Sequence, residues 1–271
     1  MPQLTHVVQF DGRRRVDGLT SVDSRRLFVL RSSSEQQIEV YDTTTFKLQQ
    51  TLNVVGLSNH PYNGLTSCVI NNCLYVSDSL NATVYKIELT GHNEVSKWRV
   101  DGMPTGLSIN AACNLLVTCF GDKKLLEYTP SGSLVREIRL QLTSDSWHAI
   151  QLTSDQFVVC TWDDDDVVDA NSQGRVVVSY TNQLQSTTRH QFSQPRHLAV
   201  DKNNECIFVA DYRIVMLSRS LKCAREFNAS VDGRRLPPQC LYLNQSNSRL
   251  YVGSYEGLIF VFDIRRYYRR F

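Results

Sequence analysis

Long apolar runs are missing from this chain: nowhere do about 18 apolar residues follow one another, so no segment reads as a membrane-spanning helix. An excess of charge of one sign is missing too, with Lys+Arg 29 against Asp+Glu 27 in 271 residues. The whole-molecule field therefore gives no reason to expect nucleic acid. None of the 8 cysteines stands in a CxxC pair, which removes zinc-knuckle and thioredoxin-type sites. The Gly-x-Ser-x-Gly elbow, the GxxxxGK[ST] loop and the GxGxxG fingerprint are absent, and serine-hydrolase and nucleotide-binding signatures go with them. The N-terminus, Met1 to His6, has no basic stretch leading into an apolar core. The expectation is a cytoplasmic protein with reduced thiols and no membrane association.

What is present is a globular composition, 42% hydrophobic and 21% charged, arranged as a repeat. Each unit has a turn with Pro or Gly, a short apolar run, a polar turn, a second run rich in Val, Leu, Tyr and Phe, and a third alternating run. The units begin at Gly18-Leu19-Thr20, Gly64-Leu65-Thr66, Gly106-Leu107-Ser108, Ala149-Ile150-Gln151, His197-Leu198-Ala199 and Cys240-Leu241-Tyr242. Their leading apolar residues Leu19, Leu65, Leu107, Ile150, Leu198 and Leu241 are spaced 46, 42, 43, 48 and 43 apart. A fourth alternating run, such as Val95 to Val100 or Leu134 to Leu140, closes the unit. β-branched and aromatic runs bounded by Asn, Asp, Gly and Ser are strands and turns. No segment keeps helical periodicity.

Four strands per unit predict an all-β, six-bladed β-propeller of four-stranded antiparallel blades. It forms a single domain over 1–271, with blades at 16–55, 61–100, 103–141, 146–192, 195–230 and 236–263. The last unit supplies three strands, and residues 6–10 are expected to close the ring by joining it, which hides two sheet edges.

The fifth unit, Leu198-Ala199-Val200-Asp201 followed by Phe208-Val209-Ala210-Asp211 and Arg213, resembles the NHL repeat of tripartite-motif proteins. That resemblance implies a shared face for the inter-blade segments and the loops between second and third strands. It would gather Arg13, Arg14, Arg15, His60, Pro61, Tyr62, Met103, Pro104, Trp147, His148, Pro195, Arg196, Arg234 and Arg235. Asp78, Lys123, Lys124, Trp162, the run Asp163 to Asp166, Tyr212, Tyr255 and Glu256 would join them. The binding candidates on that face are Arg13, Arg14, Arg15, Tyr62, Lys123, Lys124, Trp147, Arg196, Arg234, Arg235 and Tyr255. The Arg- and Tyr-rich tail from Arg265 to Arg270 is expected on the opposite face.

Non-catalytic recognition of a protein partner is the leading reading, with aromatic anchors ringed by charge, no cofactor and a monomeric state. No RING, B-box or coiled-coil segment accompanies the repeats, so ligase activity does not carry over from the resemblance. Single-stranded RNA on the basic part of the face is one alternative. A metal-dependent lyase or hydrolase is another, with His148 and His197 of successive units as weak ligand candidates and His60 as a third. Consecutive Asp163 to Asp166 lack the alternating spacing of a calcium loop and read as a solvated run.

Overall fold

The structure is a computed structural model that describes residues 3–8, 14–32, 37–140, 145–154, 156–162, 176–181, 186–192 and 194–265. For residues 3, 162, 176–181, 186–191 and 223–224 it describes the backbone alone. Strand β1 (Gln3–Val8) is followed by β2 (Val16–Thr20), β3 (Arg26–Arg31), β4 (Gln37–Asp42) and β5 (Leu48–Asn53), which form the first sheet. The second holds β6 (Leu65–Cys68), β7 (Cys73–Asp78), β8 (Thr83–Glu88) and β9 (Val95–Arg99). The third holds β10 (Met103–Ile109), β11 (Leu115–Phe120), β12 (Lys124–Tyr128) and β13 (Leu134–Arg139). The fourth holds β14 (Asp145–Thr153), β15 (Gln156–Trp162), β16 (Val176–Thr181) and β17 (Ser186–Gln191). The fifth holds β18 (His197–Asp201), β19 (Cys206–Ala210), β20 (Ile214–Ser218) and β21 (Cys223–Phe227).

A short hairpin, β22 (Ser230–Val231) and β23 (Arg234–Arg235), precedes the last sheet of β24 (Pro238–Asn244), β25 (Arg249–Ser254) and β26 (Ile259–Asp263). β1 pairs with β26, running Gln3 against Asp263 to Val8 against Ile259. The expected closing strand therefore starts three residues earlier than position 6. The hairpin was not foreseen, because two-residue strands leave no periodic signal. Among the described residues no helix is long and apolar enough to cross a membrane.

Where side chains are described, second and third strands are largely buried because apolar residues of adjoining sheets cover both faces; β7 is buried at every position. Fourth strands lie outermost and alternate or stay exposed, as in β5 and β9. Apolar side chains fill each junction between successive sheets. Phe28 and Ile38 of the first meet Leu74 and Tyr85 of the second, and Leu27 and Tyr41 of the first also meet Tyr251 and Val261 of the last. The innermost strands touch in the order β2, β6, β10, β14, β18 and β24, and β24 touches β2.

The register explains the repeat. Leu19, Leu65, Leu107, Ala149, Leu198 and Leu241 each face a valine of the second strand: Val29, Val76, Val117, Val159, Val209 and Val252. The fourth unit is thus led by Ala149, one residue before the Ile150 suggested by the spacing. The reason is packing: Ala149 is fully buried and joins the core shared with the third sheet, whereas Ile150 packs toward the fifth. Polar residues ending the first strands fold the turns that follow. Asp23 accepts from the N–H groups of Arg25 and Arg26, and Asp201 from those of Asn203 and Asn204, as in Asx turns. Asp78 and Asp211 end or follow the second strands and accept from the incoming segment at Ser58 and Gln194. These aspartates are structural braces, so Asp78 is not part of an exposed loop face: it is buried and also bonded to Asn81.

Candidate functional site at the mouth of the inner strands

One repeat column decides what the inner strands present. The residue two places before the leading position of each unit is Asp17, Asn63, Thr105, Trp147, Arg196 or Gln239, and all six line one small cavity. In the first, third, fourth and last sheets this residue falls where the register shifts, at a β-bulge. A bulge carries an extra residue that the partner strand does not match, and it re-aims that side chain out of the ladder. Arg15, Tyr62, His148 and His197 complete the wall. The cavity has a volume of about 40 Å³, room for a few waters and far below a small-molecule substrate site.

An aromatic cluster forms one side. Tyr62 and Trp147 meet edge to face at 4.8 Å, Trp147 and Phe120 at 5.6 Å, and His60 and Tyr62 at 4.9 Å. Guanidinium groups form the other. Arg196 Nη1 donates to Gln239 Oε1 at 2.9 Å, and its Nη2 donates to Gln194 Oε1 at 3.1 Å. Arg15 Nε donates to Asp17 Oδ1 at 2.5 Å, and its guanidinium lies 5.9 Å from the Tyr255 ring centre. Burial raises the Asp17 carboxyl to about 6, against the opposing pull of Arg15, the Ser32 hydroxyl and Arg31.

His148 and His197 occupy equivalent places in neighbouring sheets and stack at 4.0 Å with 23° between their planes. The Leu198 N–H donates to His148 Nδ1 at 3.3 Å, so the ring proton sits on Nε2 and is donated to the Leu107 carbonyl at 3.2 Å. Both nitrogens are engaged, which leaves no lone pair for a metal. Burial pulls the His148 pKa down to about 4. His197 is also held well below the ordinary value, first by burial and then by His148. The two rings form a neutral stack in which His148 has no nitrogen left for a metal, and among the described residues no three His, Cys, Asp or Glu side chains are grouped to hold one. His60 lies beside Tyr62 and is not part of the stack.

The remaining expected site residues separate. Lys124 is a correction: it begins β12, is buried, and its ammonium lies 2.7 Å from Asp101 Oδ2. Lys123 occupies the preceding turn with φ 51. Arg14 is exposed, as are Arg234 and Arg235 of the hairpin, which precede Gln239 by a few residues. Tyr255 is exposed and reaches the site through Arg15. Arg13, Asp163 to Asp166 and Arg266 to Arg270 lie outside the described residues. Asp17, Asn63, Thr105 and Gln239 were missed, although the repeat itself marked them once Trp147 and Arg196 were recognised as one column.

No protein-family model and no curated protein matches the chain. Among solved structures it is similar to the WD40 β-propeller domain of Doa1, at 12% identity and a TM-score of 0.65, over 100% of this chain and 99% of that one. At that identity the likeness speaks for architecture alone: the chain is an all-β propeller with four-stranded antiparallel blades.

Proposed function

We propose that the six sheets form one closed ring and that the chain is a non-catalytic recognition module, binding a protein partner through the rim around the cavity. The carrying observation is the bulge column, which turns a side chain from each of four sheets toward one mouth beside Tyr62 and Trp147. Propeller folds of this kind commonly serve as rigid platforms for protein contacts, and an aromatic cluster at the centre with charge around it is the usual make-up of an interface hot spot. The Asp201 and Asp211 braces of the fifth sheet support an NHL-like reading of that repeat. A cytoplasmic, monomeric protein is part of the same proposal.

The test is selection from a displayed random-peptide library on the purified protein. Ligands enriched on the wild type are expected to bind at least tenfold more weakly to Trp147→Ala, a loss of about 1.4 kcal/mol or more. Tyr62→Ala is expected to act in the same direction. No enrichment, or ligands indifferent to both substitutions, would remove the rim as a recognition surface.

A further inference from the structure

From the chemistry of the cavity wall we infer that the mouth takes an acidic side chain of its peptide partner, whose carboxylate enters between Arg15 and Arg196 while the adjoining residue lies against Tyr62 and Trp147. This rests on the recognition reading above and specifies its partner. Three observations carry it.

The first is charge. The lining holds two guanidinium groups, Arg15 and Arg196, and one carboxylate, Asp17. With His148 and His197 neutral, the wall is net cationic. Asp17 is the internal occupant of Arg15, so the site already shows which chemistry Arg15 accepts. A planar guanidinium fork matches a carboxylate in bidentate fashion, and in a partly desolvated mouth that match discriminates strongly.

The second is size. Room for a few waters suits the three heavy atoms of a carboxylate, which can displace those waters and take over their hydrogen bonds. A ribonucleic acid strand needs an open cationic groove with exposed stacking faces along its length. Here Tyr62 and Phe120 each meet Trp147 edge to face, in one compact cluster rather than in a row of open stacking faces, and the Lys124 and Arg213 charges are each paired with an acid. The third is an unmet polar atom. His197 lines the cavity, and its Nδ1 is buried with no hydrogen-bond partner among the described residues. A polar group entering the mouth would satisfy it.

The titratable and charged groups lining the site are Arg15 and Asp17 of the first sheet and its approach, Tyr62 before the second, His148 on the fourth, and Arg196 and His197 at the fifth, with the Arg31 charge acting on Asp17 from outside the lining. Asp17 competes with the incoming acid, which yields an unusual expectation. Removing its charge should improve binding rather than harm it.

The experiment uses the library ligands on the full chain. Enriched peptides are expected to share an Asp or Glu at one position, and replacing that acid by its amide should weaken binding at least tenfold. Arg196→Gln should weaken it to a similar degree, and Asp17→Asn should tighten it severalfold. Ligands without a shared acid that still depend on Trp147 would overturn this inference and leave the recognition reading intact. No ligand at all would remove both. Tightening by Asp17→Asn is not what a merely structural role would produce, so an unchanged or weakened affinity there also counts against the inference. Displacement of the peptides by an oligouridylate at equimolar concentration would mean that phosphate, not carboxylate, is the preferred anion, and would overturn it as well.

Discussion

Gly64→Ala is expected to destabilise the protein by about 3 kcal/mol, near the top of the range for overpacking a well-filled core. A Cβ built there would stand 2.4 Å from the Thr105 carbonyl oxygen of the third sheet and 3.2 Å from Ser77 Oγ. The oxygen is backbone and cannot swing away. Ser77 Oγ is fixed as well, accepting from the Gly64 N–H at 2.6 Å and donating to the Thr105 carbonyl at 3.1 Å. The substitution therefore pushes two innermost strands apart and strains the hydroxyl bridge between them. Gly106→Ala meets a similar obstacle in the His148 Cα and the Trp147 carbonyl, each at 2.7 Å. Urea unfolding should show a lower midpoint with little change in slope, and melting should fall by about 6–12 °C for a chain of this size. Gly91→Ala is the control. Its φ of +66 strains an alanine, yet nothing lies within 4 Å, so only about 1 kcal/mol is expected there. A Gly64→Ala protein as stable as the wild type would mean that the inner strands do not approach one another as described.

Acid should weaken the fold before the ordinary carboxylates protonate. His148 is neutral and buried with its pKa lowered to about 4, while in the unfolded chain it titrates near 6.5. The unfolded state thus takes up a proton that the folded state refuses. Stability from this group is complete above about 6.5, drains as pH falls through the window down to about 4, and amounts to about 3 kcal/mol by linkage. His197 shifts in the same direction and adds to the loss. Asp17 works the other way. Its carboxyl is raised to about 6, so the folded state holds a proton there that an unfolded aspartate releases until near 4, and acidification relieves the cost of burying its charge. Two histidines against one aspartate leave a net loss. Unfolding free energy measured from pH 7.5 to 4.5 is expected to fall, and to fall more steeply in Asp17→Asn, where the opposing group no longer titrates. A flat profile would show that the two imidazoles are not buried in neutral form.

The strand pattern was legible because the burial that makes a blade also writes its sequence. Second and third strands, covered on both faces, read as continuous apolar runs such as Cys73 to Val76 or Ile207 to Ala210, and exposed fourth strands read as alternation. Side-chain pairing was not legible. Nothing in the composition distinguishes Lys123 from Lys124, yet one sits in a turn and the other is buried against Asp101, because strand β12 begins between them. The register of the fourth unit was misplaced by one residue for a related cause. Ala149 takes the place that leucine holds in the other five units, and a spacing read from the larger apolar residues passes over it to Ile150. His148, the residue before it, falls in line with His197 before Leu198, and the two imidazoles stack, with His148 bonded to backbone on both nitrogens. Asp201 and Asp211 of the fifth unit, which the sequence singled out, hold the neighbouring loop and incoming segment in place.

Ring-to-ring contact between Tyr62, which leads into the second sheet, and Trp147, on the bulge of the fourth, is where separate repeats meet at one mouth. Nuclear Overhauser spectroscopy on protein labelled at Tyr and Trp reads that contact directly. Cross-peaks between the Trp147 indole and Tyr62 ring protons are predicted, consistent with centres 4.8 Å apart. Their absence, with the contacts across β14 and β15 intact, would mean that these repeats fold as described and yet do not converge.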